Sequence, residues 1–561
     1  MKIKGEPIRF VILFTFLLTA SRCFAQSLPV GTTGLEDFYR RRQLLSSEDS
    51  SVSFLIRPLH SASGTSDLIF DPDSSVRGNT FLNFNGKVDY GTGGDVLKLL
   101  PVTWQQQYNS QQPYGRNDGP MIPNKGYQTL ISAGLFASFK NLSIQLKPEF
   151  LYASNSFYEG FNNEHFEEIW SRYYTLYLNN IDEPERFGFE SYSKMHWGQS
   201  NIKLNFKPVS IGVSTENIWW GPGTRNSLLM SNNAAGFNHI TLNTSHPVST
   251  PIGSFEAQFI AGNLINSGYL PPEPNRVYEG RRLYLPKREN DRYLSGFVVT
   301  YQPRLIPGLF IGAARTYQMY SDDLPNNASK YIPAISAFRK LKRNAGQDIQ
   351  QLGALFSRWI LRDAKAELYF EYGINSYGYL PVKVSNPGRS KAWIFGMRKL
   401  FPLDKRPGEL ISVNLEVANL GQNVREVNPF YTHGYIRQGY TNNGEVLGAG
   451  IGSGSGLQTL DISWFKGLRR IGVILERYAH NNDYYYYAYR DNNDLRKHWV
   501  DLNTSLYSDW NYKNLLLTGK ITQVHSLNYK WFFIDRQGDD WQYSGFDNYN
   551  LSLQLNIAYR F

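Results

Sequence analysis

The sequence predicts an all-β protein: a transmembrane antiparallel β-barrel of about eighteen strands, with a small helical N-terminal periplasmic segment and long extracellular loops. Three observations carry that reading. Across residues 549–561 apolar and polar side chains alternate, with Tyr549, Leu551, Leu553, Leu555, Ile557, Tyr559 and Phe561 on one face. Asn550, Ser552, Gln554, Asn556, Ala558 and Arg560 occupy the other. A strand of this length suits a tilted crossing between lipid and a wet lumen, whereas the same stripe on a soluble edge strand would invite aggregation. Aromatic residues make up 15% of the chain, including 38 tyrosines, yet mean hydropathy is negative. Beyond the N-terminus no apolar stretch is long enough for a helical span, and in a bilayer that leaves closed sheets.

The N-terminus supplies the third observation. Lys2, Lys4 and Arg9 precede an apolar run over 10–20, and Cys23-Phe24-Ala25 offers small residues for cleavage, so residues 1–25 read as a signal peptide cut before Gln26. Arg22 stands where lipidation of Cys23 would want a small side chain. The one cysteine therefore leaves with the leader, and the mature chain forms no disulfide and no thiolate metal site. The leader carries Lys2, Lys4, Arg9 and Arg22 against Glu6, so the formal charge of +10 falls by three, to +7. For an exported chain this basic excess argues for anionic lipid head groups or an acidic polysaccharide, and against nucleic acid.

Period-two runs give the elements in order. The first covers 80–90; the next two, 127–139 and 142–153, are joined by the turn Lys140-Asn141. Others follow near 198–207, 209–217, 239–246, 254–262, 293–302, 309–318, 350–361, 365–375, 391–399, 409–419, 457–465, 471–479 and 498–507. Residues 515–533 keep one parity and read as a single long strand before the terminal one. An outer-membrane barrel keeps its C-terminal end in the periplasm, where connections are short. Counting back from Phe561 puts the tight turns inside and the long segments, among them 91–126, 154–197, 218–238, 263–292 and 420–456, outside.

Two pieces stand apart from the sheet. Residues 26–79 form a periplasmic segment before the barrel of 80–561; Leu35, Phe38, Arg42 and Leu45 follow helical spacing there, with Thr33 as a cap, and place a helix at the periplasmic mouth. In the 154–197 loop, Ile169, Tyr173, Leu176 and Tyr177 predict a helix in or over the lumen. Both argue against a wide pore.

The most distinctive loop holds Asn217, Trp219 and Trp220 before Gly221-Pro222-Gly223, then Asn226 and Ser231-Asn232-Asn233. Paired indoles beside side-chain amides offer flat apolar faces with donors and acceptors, which a sugar ring can bind. The same residues also suit an interfacial pair with a turn that folds the loop back into the barrel. A second stretch carries His433, Tyr435 and Tyr440 among glycines, and its tyrosines read equally as ligand platforms or as lumen filling.

These stretches resemble the capsule assembly Wzi family of bacterial outer-membrane proteins. The resemblance rests on Trp219-Trp220-Gly221-Pro222-Gly223 with Ser231-Asn232-Asn233, on residues 432–444, and on Asn117-Asp118-Gly119 through Pro123-Asn124-Lys125-Gly126. It implies an eighteen-stranded barrel with an added helical part, acting as a lectin that holds exported capsular polysaccharide on the cell surface. The resemblance transfers no sugar-contacting residue; from the chemistry of the two loops, Asn217, Trp219, Trp220, Asn226, Asn232, Asn233, His433, Tyr435 and Tyr440 are the expected sugar contacts, with no cofactor.

Arg276, Arg281, Arg282, Lys287, Arg288 and Arg292 crowd one outer loop, and Arg339, Lys340, Lys342 and Arg343 another. Such residues attract a uronic-acid glycan or, more commonly, neutralise lipopolysaccharide phosphates. Enzymatic motifs fail: residues 164–168 lack paired histidines at helical spacing, and residues 491–494 lack the glycine and glutamate of a calcium loop. The expectation is a monomer inserted by the barrel-assembly machinery into the outer membrane of a Gram-negative bacterium, among lipopolysaccharide and other lipid, that binds polysaccharide without catalysis. The alternative is a channel for oligosaccharides or other small solutes.

Overall fold

Alternating side chains let each strand turn an apolar face to lipid and a polar face inward, and backbone hydrogen bonds then close the sheet upon itself. The computed structural model describes residues 26–32, 34–45, 52–60, 69–73, 76, 87–90, 95–324, 348–377, 390–422, 429–489, 497–535 and 543–561. The expected signal peptide, the Thr33 cap and the basic cluster at 339–343 lie outside them.

Among the described residues, eighteen antiparallel strands form the barrel. They are β1 (Asp95–Asn109), β2 (Gly126–Phe139), β3 (Leu142–Leu146 and Glu149–Ala153), β4 (Tyr192–His196 and Asn201–Phe206), β5 (Val209–Ser214) and β6 (His239–Thr244 and Val248–Thr250). Then come β7 (Gly253–Leu264), β8 (Arg292–Pro303), β9 (Leu309–Tyr320), β10 (Gln350–Leu361), β11 (Ala366–Tyr377) and β12 (Ser390–Pro402). The last six are β13 (Glu409–Asn419), β14 (Gly456–Lys466), β15 (Arg469–Ala479), β16 (Val500–Tyr512), β17 (Leu515–Leu527) and β18 (Asn548–Tyr559). Closure comes from β18 against β1, with Leu553 opposite Tyr108 and Tyr559 opposite Val102.

The distribution of burial is inverted relative to a water-soluble domain. On β18, Leu551, Leu553 and Leu555 are exposed while Asn550 and Ser552 are buried. The same holds around the wall, with Ile211, Phe395, Ile471 and Leu506 outward and Ser210, Arg398, Glu476 and Asn503 inward. An apolar belt of this kind is stable only in lipid, so the barrel is an outer-membrane protein. The C-terminal residue lies at the end where the turns are short, as at Lys140-Asn141, and the long loops lie at the other.

The strand count holds but its first member moves. The barrel begins at β1, not at 80–90; of that run only Lys87–Tyr90 is a described strand, a short one paired to residues 95–98. A register shift between Leu100 and Thr103 explains why β1 was placed in an outer loop: it transfers the outward face from Leu99 to Trp104 and breaks the alternation at Pro101. The long strand over 515–533 is also corrected, since β17 ends at Leu527. Asn528 turns the chain with φ 50°, and a short helical turn Tyr529–Trp531 precedes a hairpin of Phe533–Asp535 with Tyr543–Gly545.

Helix α1 (Leu35–Leu45) is the expected N-terminal helix. Its Leu35 and Leu44 are buried, and its charged face meets the inner wall. Arg40 pairs with Glu367 of β11 at 2.9 Å, and Asp37 with Arg398 of β12 and Arg470 of β15, both at 3.0 Å. The described part of the N-terminal segment therefore sits within the periplasmic end of the lumen. The helix expected in the 154–197 loop is α2 (Glu167–Tyr173), continued by a wider turn through Tyr174–Leu178.

Candidate functional site

The two distinctive loops do not rise from the rim; they fold down into the barrel. In the first, the backbone N–H of Thr224 donates to Glu416 at 2.7 Å, that of Leu228 to Glu371 at 3.0 Å, and Arg225 pairs with Asp461 at 2.8 Å. Trp219 and Trp220 pair as a short strand with Ile56–Arg57 of the N-terminal segment. Leu228, Leu229 and Met230 then meet Phe430, Tyr431 and Tyr440 of the second loop, and both pack on Ile260, Leu294, Val298 and Ile394 of the wall. This apolar core lies across the lumen and occludes it.

The structure accordingly buries most of the residues singled out from sequence. Trp220 is fully enclosed and donates its indole N–H to Gln258 at 2.8 Å. The Trp219 ring lies under the Arg57 guanidinium at 4.2 Å. Asn217 donates to the Ala234 carbonyl and Asn226 to Glu416, at 2.8 and 3.0 Å. Asn232 donates to the Asn117 carbonyl at 2.8 Å and Asn233 to that of Val446 at 3.1 Å. His433 Nδ1 accepts from the backbone of Ile436 at 2.9 Å, and the Tyr440 hydroxyl bonds Thr316 at 3.1 Å. Tyr435 alone of the nine is exposed, at 40%, on a rim where its hydroxyl donates to Asp323 at 3.0 Å beside Arg288. Three of the buried residues still border open space. Trp219 and Asn232 line a 430 Å³ inner cavity near α1, and Asn233 lines a 270 Å³ cavity at the outer mouth.

The outer cavity is built from six separate loop segments. Tyr158, Tyr173 and Tyr177 come from the α2 loop, Trp499 and His480 from the β15–β16 connection, and Tyr529 and Lys530 from the turn above β17. His480 stacks on Trp499 with ring centroids 3.5 Å apart and planes 4° from parallel, and its Nε2 bonds Asp501 at 2.8 Å. Lys530 pairs with Glu185 at 2.8 Å, and the Tyr177 hydroxyl donates to Glu183. Burial pushes the Glu183 carboxyl up to about 7, against the pull of that hydrogen bond, and pushes Asp118 up to about 6. Burial, together with the charge of Glu183, also raises Glu445 well above the carboxylate range.

Aromatic faces and polar groups around one enclosed space can hold a sugar ring by stacking and hydrogen bonds. No serine or threonine hydroxyl bonds the His480 imidazole, and no metal-ligating cluster occurs, among the described residues. Of this cavity's aromatics, sequence reasoning had reached only Tyr173 and Tyr177, through helical spacing. The rest carried no local signal, because no two of the segments are adjacent in the chain.

Of the basic residues expected outside, Arg281 and Arg282 are exposed, but Arg292 is buried, bonding the Gly439 carbonyl at 2.8 Å. Lys287 donates to the Leu178 carbonyl at 2.8 Å, and Arg276 and Arg288 pair with Glu167 and Asp323, each at 2.8 Å.

Fold and site together define an occluded outer-membrane β-barrel with an aromatic, carboxyl-lined cavity at its outer mouth. The family described as capsule assembly protein Wzi matches residues 108–530, and the chain belongs to that family. Among solved structures it is similar to Wzi of Escherichia coli, described as an outer membrane protein involved in group 1 capsule assembly and a carbohydrate-binding β-barrel. The two share 13% identity over 96% of this chain and 100% of that one, with a TM-score of 0.58, which establishes the common fold. OccAB1 of Acinetobacter baumannii follows at 8% identity, 82% and 95% coverage and a TM-score of 0.39. OccAB2 of the same organism stands at 10%, 82% and 97%, and 0.38. No curated protein matches the sequence.

Proposed function

We propose that the protein binds capsular or other extracellular polysaccharide at its outer face and helps retain it at the cell surface, as a lectin without catalysis. The observation that carries this is the outer mouth itself: loops pack across the lumen, yet leave an aromatic cavity in which Arg116 Nη1 and Glu445 Oε1 have no hydrogen-bond partner among the described residues. Of the nine motif residues, Tyr435 and Asn233 meet the glycan in this reading, which the exposure of Tyr435 at the rim and the position of Asn233 on the cavity wall support. The other seven act by fixing the loops that present them.

The chain works as a monomer. Residues 1–25 are removed on export, 26–79 act as a plug, and 80–561 are inserted as the barrel by the barrel-assembly machinery, with lipopolysaccharide and outer-membrane lipid around the apolar belt. Family membership and the E. coli protein's description support the polysaccharide ligand. Deleting the gene in a capsulated strain and comparing cell-bound with released polysaccharide tests the reading. The expected result is a shift to the medium; unchanged attachment overturns it. A channel for oligosaccharides or small solutes needs a continuous lumen, which the apolar core across it opposes.

A further inference from the structure

We infer that the outer ends of β14, β15 and β16 carry, on their lipid-facing side, a docking site for one lipopolysaccharide molecule: the Arg477 guanidinium receives a phosphate and the apolar groove beside it takes an acyl chain. The inference stands on the barrel and its orientation and is independent of the polysaccharide reading above.

Strand register builds the surface. On β15 the outward parity runs Ile471, Val473, Leu475, Arg477, and Arg477 stands two residues from the outer end of the strand. It lies opposite Gln458 of β14 and Leu502 of β16. Thr504 of β16 lies between Leu475 on one side and Gln523 of β17 on the other. Gln458, Arg477, Thr504 and Gln523 are all exposed. Among them Leu415, Leu460, Leu475 and Leu502 line a groove of 360 Å³ that Arg477, Gln458 and Thr504 border.

A cation on the outer face of a barrel is tolerated near the head groups and becomes costly with depth, so a paired anion there is favourable. Among the described residues Arg477 has no hydrogen bond, ion pair or ring contact. The other outward guanidinium of β15, Arg469, sits at the periplasmic end, 4.9 Å over the Trp510 ring. Glu476, next to Arg477, turns inward and pairs with Arg116 at 2.8 Å. Across Leu502, His525 stacks on Tyr549 and faces Asp547 at 3.8 Å. The Arg477 fork is thus open to an anion from the leaflet, and a phosphate matches it bidentately.

Two features favour lipopolysaccharide over a glycerophospholipid. Arg477 lies at the long-loop end of the wall, which places it in the outer leaflet. Its neighbours are two side-chain amides and a hydroxyl, donors and acceptors that suit a phosphorylated sugar head group with amide-linked chains, whereas a glycerol head group offers them few counterparts. Below the groove the leucines run on into Ile462, Val473 and Leu506 of the apolar belt, so a chain held there continues into hydrocarbon.

The test titrates full-length protein in detergent micelles with purified diphosphoryl lipid A and, separately, with phosphatidylglycerol, and reads the fraction carrying one lipid in native mass spectra. Lipid A is expected to saturate at one bound molecule, with phosphatidylglycerol at least about tenfold weaker. Arg477→Gln should weaken lipid A binding about tenfold by removing the charged fork, and Leu475→Trp should weaken it by filling the groove. Heat-modifiable migration selects the variants that fold. Arg281→Gln combined with Arg282→Gln, on the exposed outer hairpin, should bind as the parent does. Unchanged lipid A binding in either folded variant overturns the inference, as does phosphatidylglycerol binding as tight as that of lipid A. Loss of binding in the hairpin variant with none in Arg477→Gln would place the lipid phosphate on the loops and overturn it as well.

Discussion

Trp220 donates its indole N–H to Oε1 of Gln258 at 2.8 Å, so the centre of the most conspicuous motif in the chain is fastened to the inner wall of β7. Its backbone is held by Ile56 on one side and by Met230 on the other. The Trp-Trp-Gly-Pro-Gly turn therefore makes the join between the folded-in loop, the N-terminal segment and the barrel.

Loss of that anchor should open the lumen without unfolding the wall. Trp220→Phe removes one hydrogen bond, about 1 kcal/mol, whereas Trp220→Ala also leaves a void and costs about 3–5 kcal/mol of loop docking. In planar bilayers the parent and the Phe variant are expected to stay closed, and the Ala variant to show repeated openings while its barrel still resists unfolding in detergent gels. A closed Trp220→Ala barrel would show that the second loop occludes the lumen alone.

How much of this was legible in the sequence follows from what sets each feature. Strands such as β13, with Ile411, Val413, Leu415 and Val417 on one face, are read directly because lipid imposes a strict period of two. At β1 the shift between Leu100 and Thr103 switches the outward parity, so the rule that finds the other strands passes over this one. The loops were ambiguous for a different reason. An indole pair beside a Pro-Gly turn has the same local chemistry whether it faces solvent or Gln258, and the partner that decides lies in another strand. The outer cavity was illegible for the same cause, since Tyr158, His480 and Lys530 meet only once the barrel has closed.

The N-terminal helix should release at acid pH. Burial disfavours charge on Asp37, but the guanidinium groups of Arg470, Arg398 and Arg41 outweigh it and hold the carboxyl well below the usual range. A depressed folded-state value contributes stability that is present above the unfolded carboxyl value and is lost as pH falls below about 4. Asp37→Asn leaves buried cations without their partner and should cost about 3–5 kcal/mol of docking at neutral pH. Protease added to right-side-up proteoliposomes with detergent-opened lumenal access should then cut near α1 in the variant and spare the parent. Equal resistance would mean that Arg40 and Glu367 suffice to hold the helix.

The opposite pH dependence is expected at helix α3 (Asn482–Ala488), which buries Tyr484 and Tyr485 among the outer-loop aromatics. Burial pushes the Asp483 carboxyl up to about 7, partly offset by the Gln422 N–H it accepts at 2.5 Å. A raised folded-state value gives stability that is full below the unfolded carboxyl value and lost as pH rises through about 7. Hydrogen exchange over residues 482–488, corrected for intrinsic rate, should show weaker protection at about pH 8 than at about pH 5. Asp483→Asn should flatten that dependence. Protection that rises with pH would exclude a buried, protonated Asp483.

Two neighbours on the closing strand separate a lipid-facing barrel from a soluble sheet. Leu553 is 39% exposed on the outer face of β18, opposite Ile521 and Tyr108, while Ser552 is fully buried in the lumen wall and its hydroxyl has no partner among the described residues. In water, Leu553→Arg on an exposed face would be nearly neutral. In a bilayer it should cost about 2–4 kcal/mol near the midplane. Ser552→Ala removes an unsatisfied polar group and should be neutral or slightly stabilising. Urea unfolding in phosphatidylcholine vesicles, followed by tryptophan fluorescence, measures both. If Leu553→Arg unfolds at the parent's midpoint, the outer face of β18 does not meet hydrocarbon.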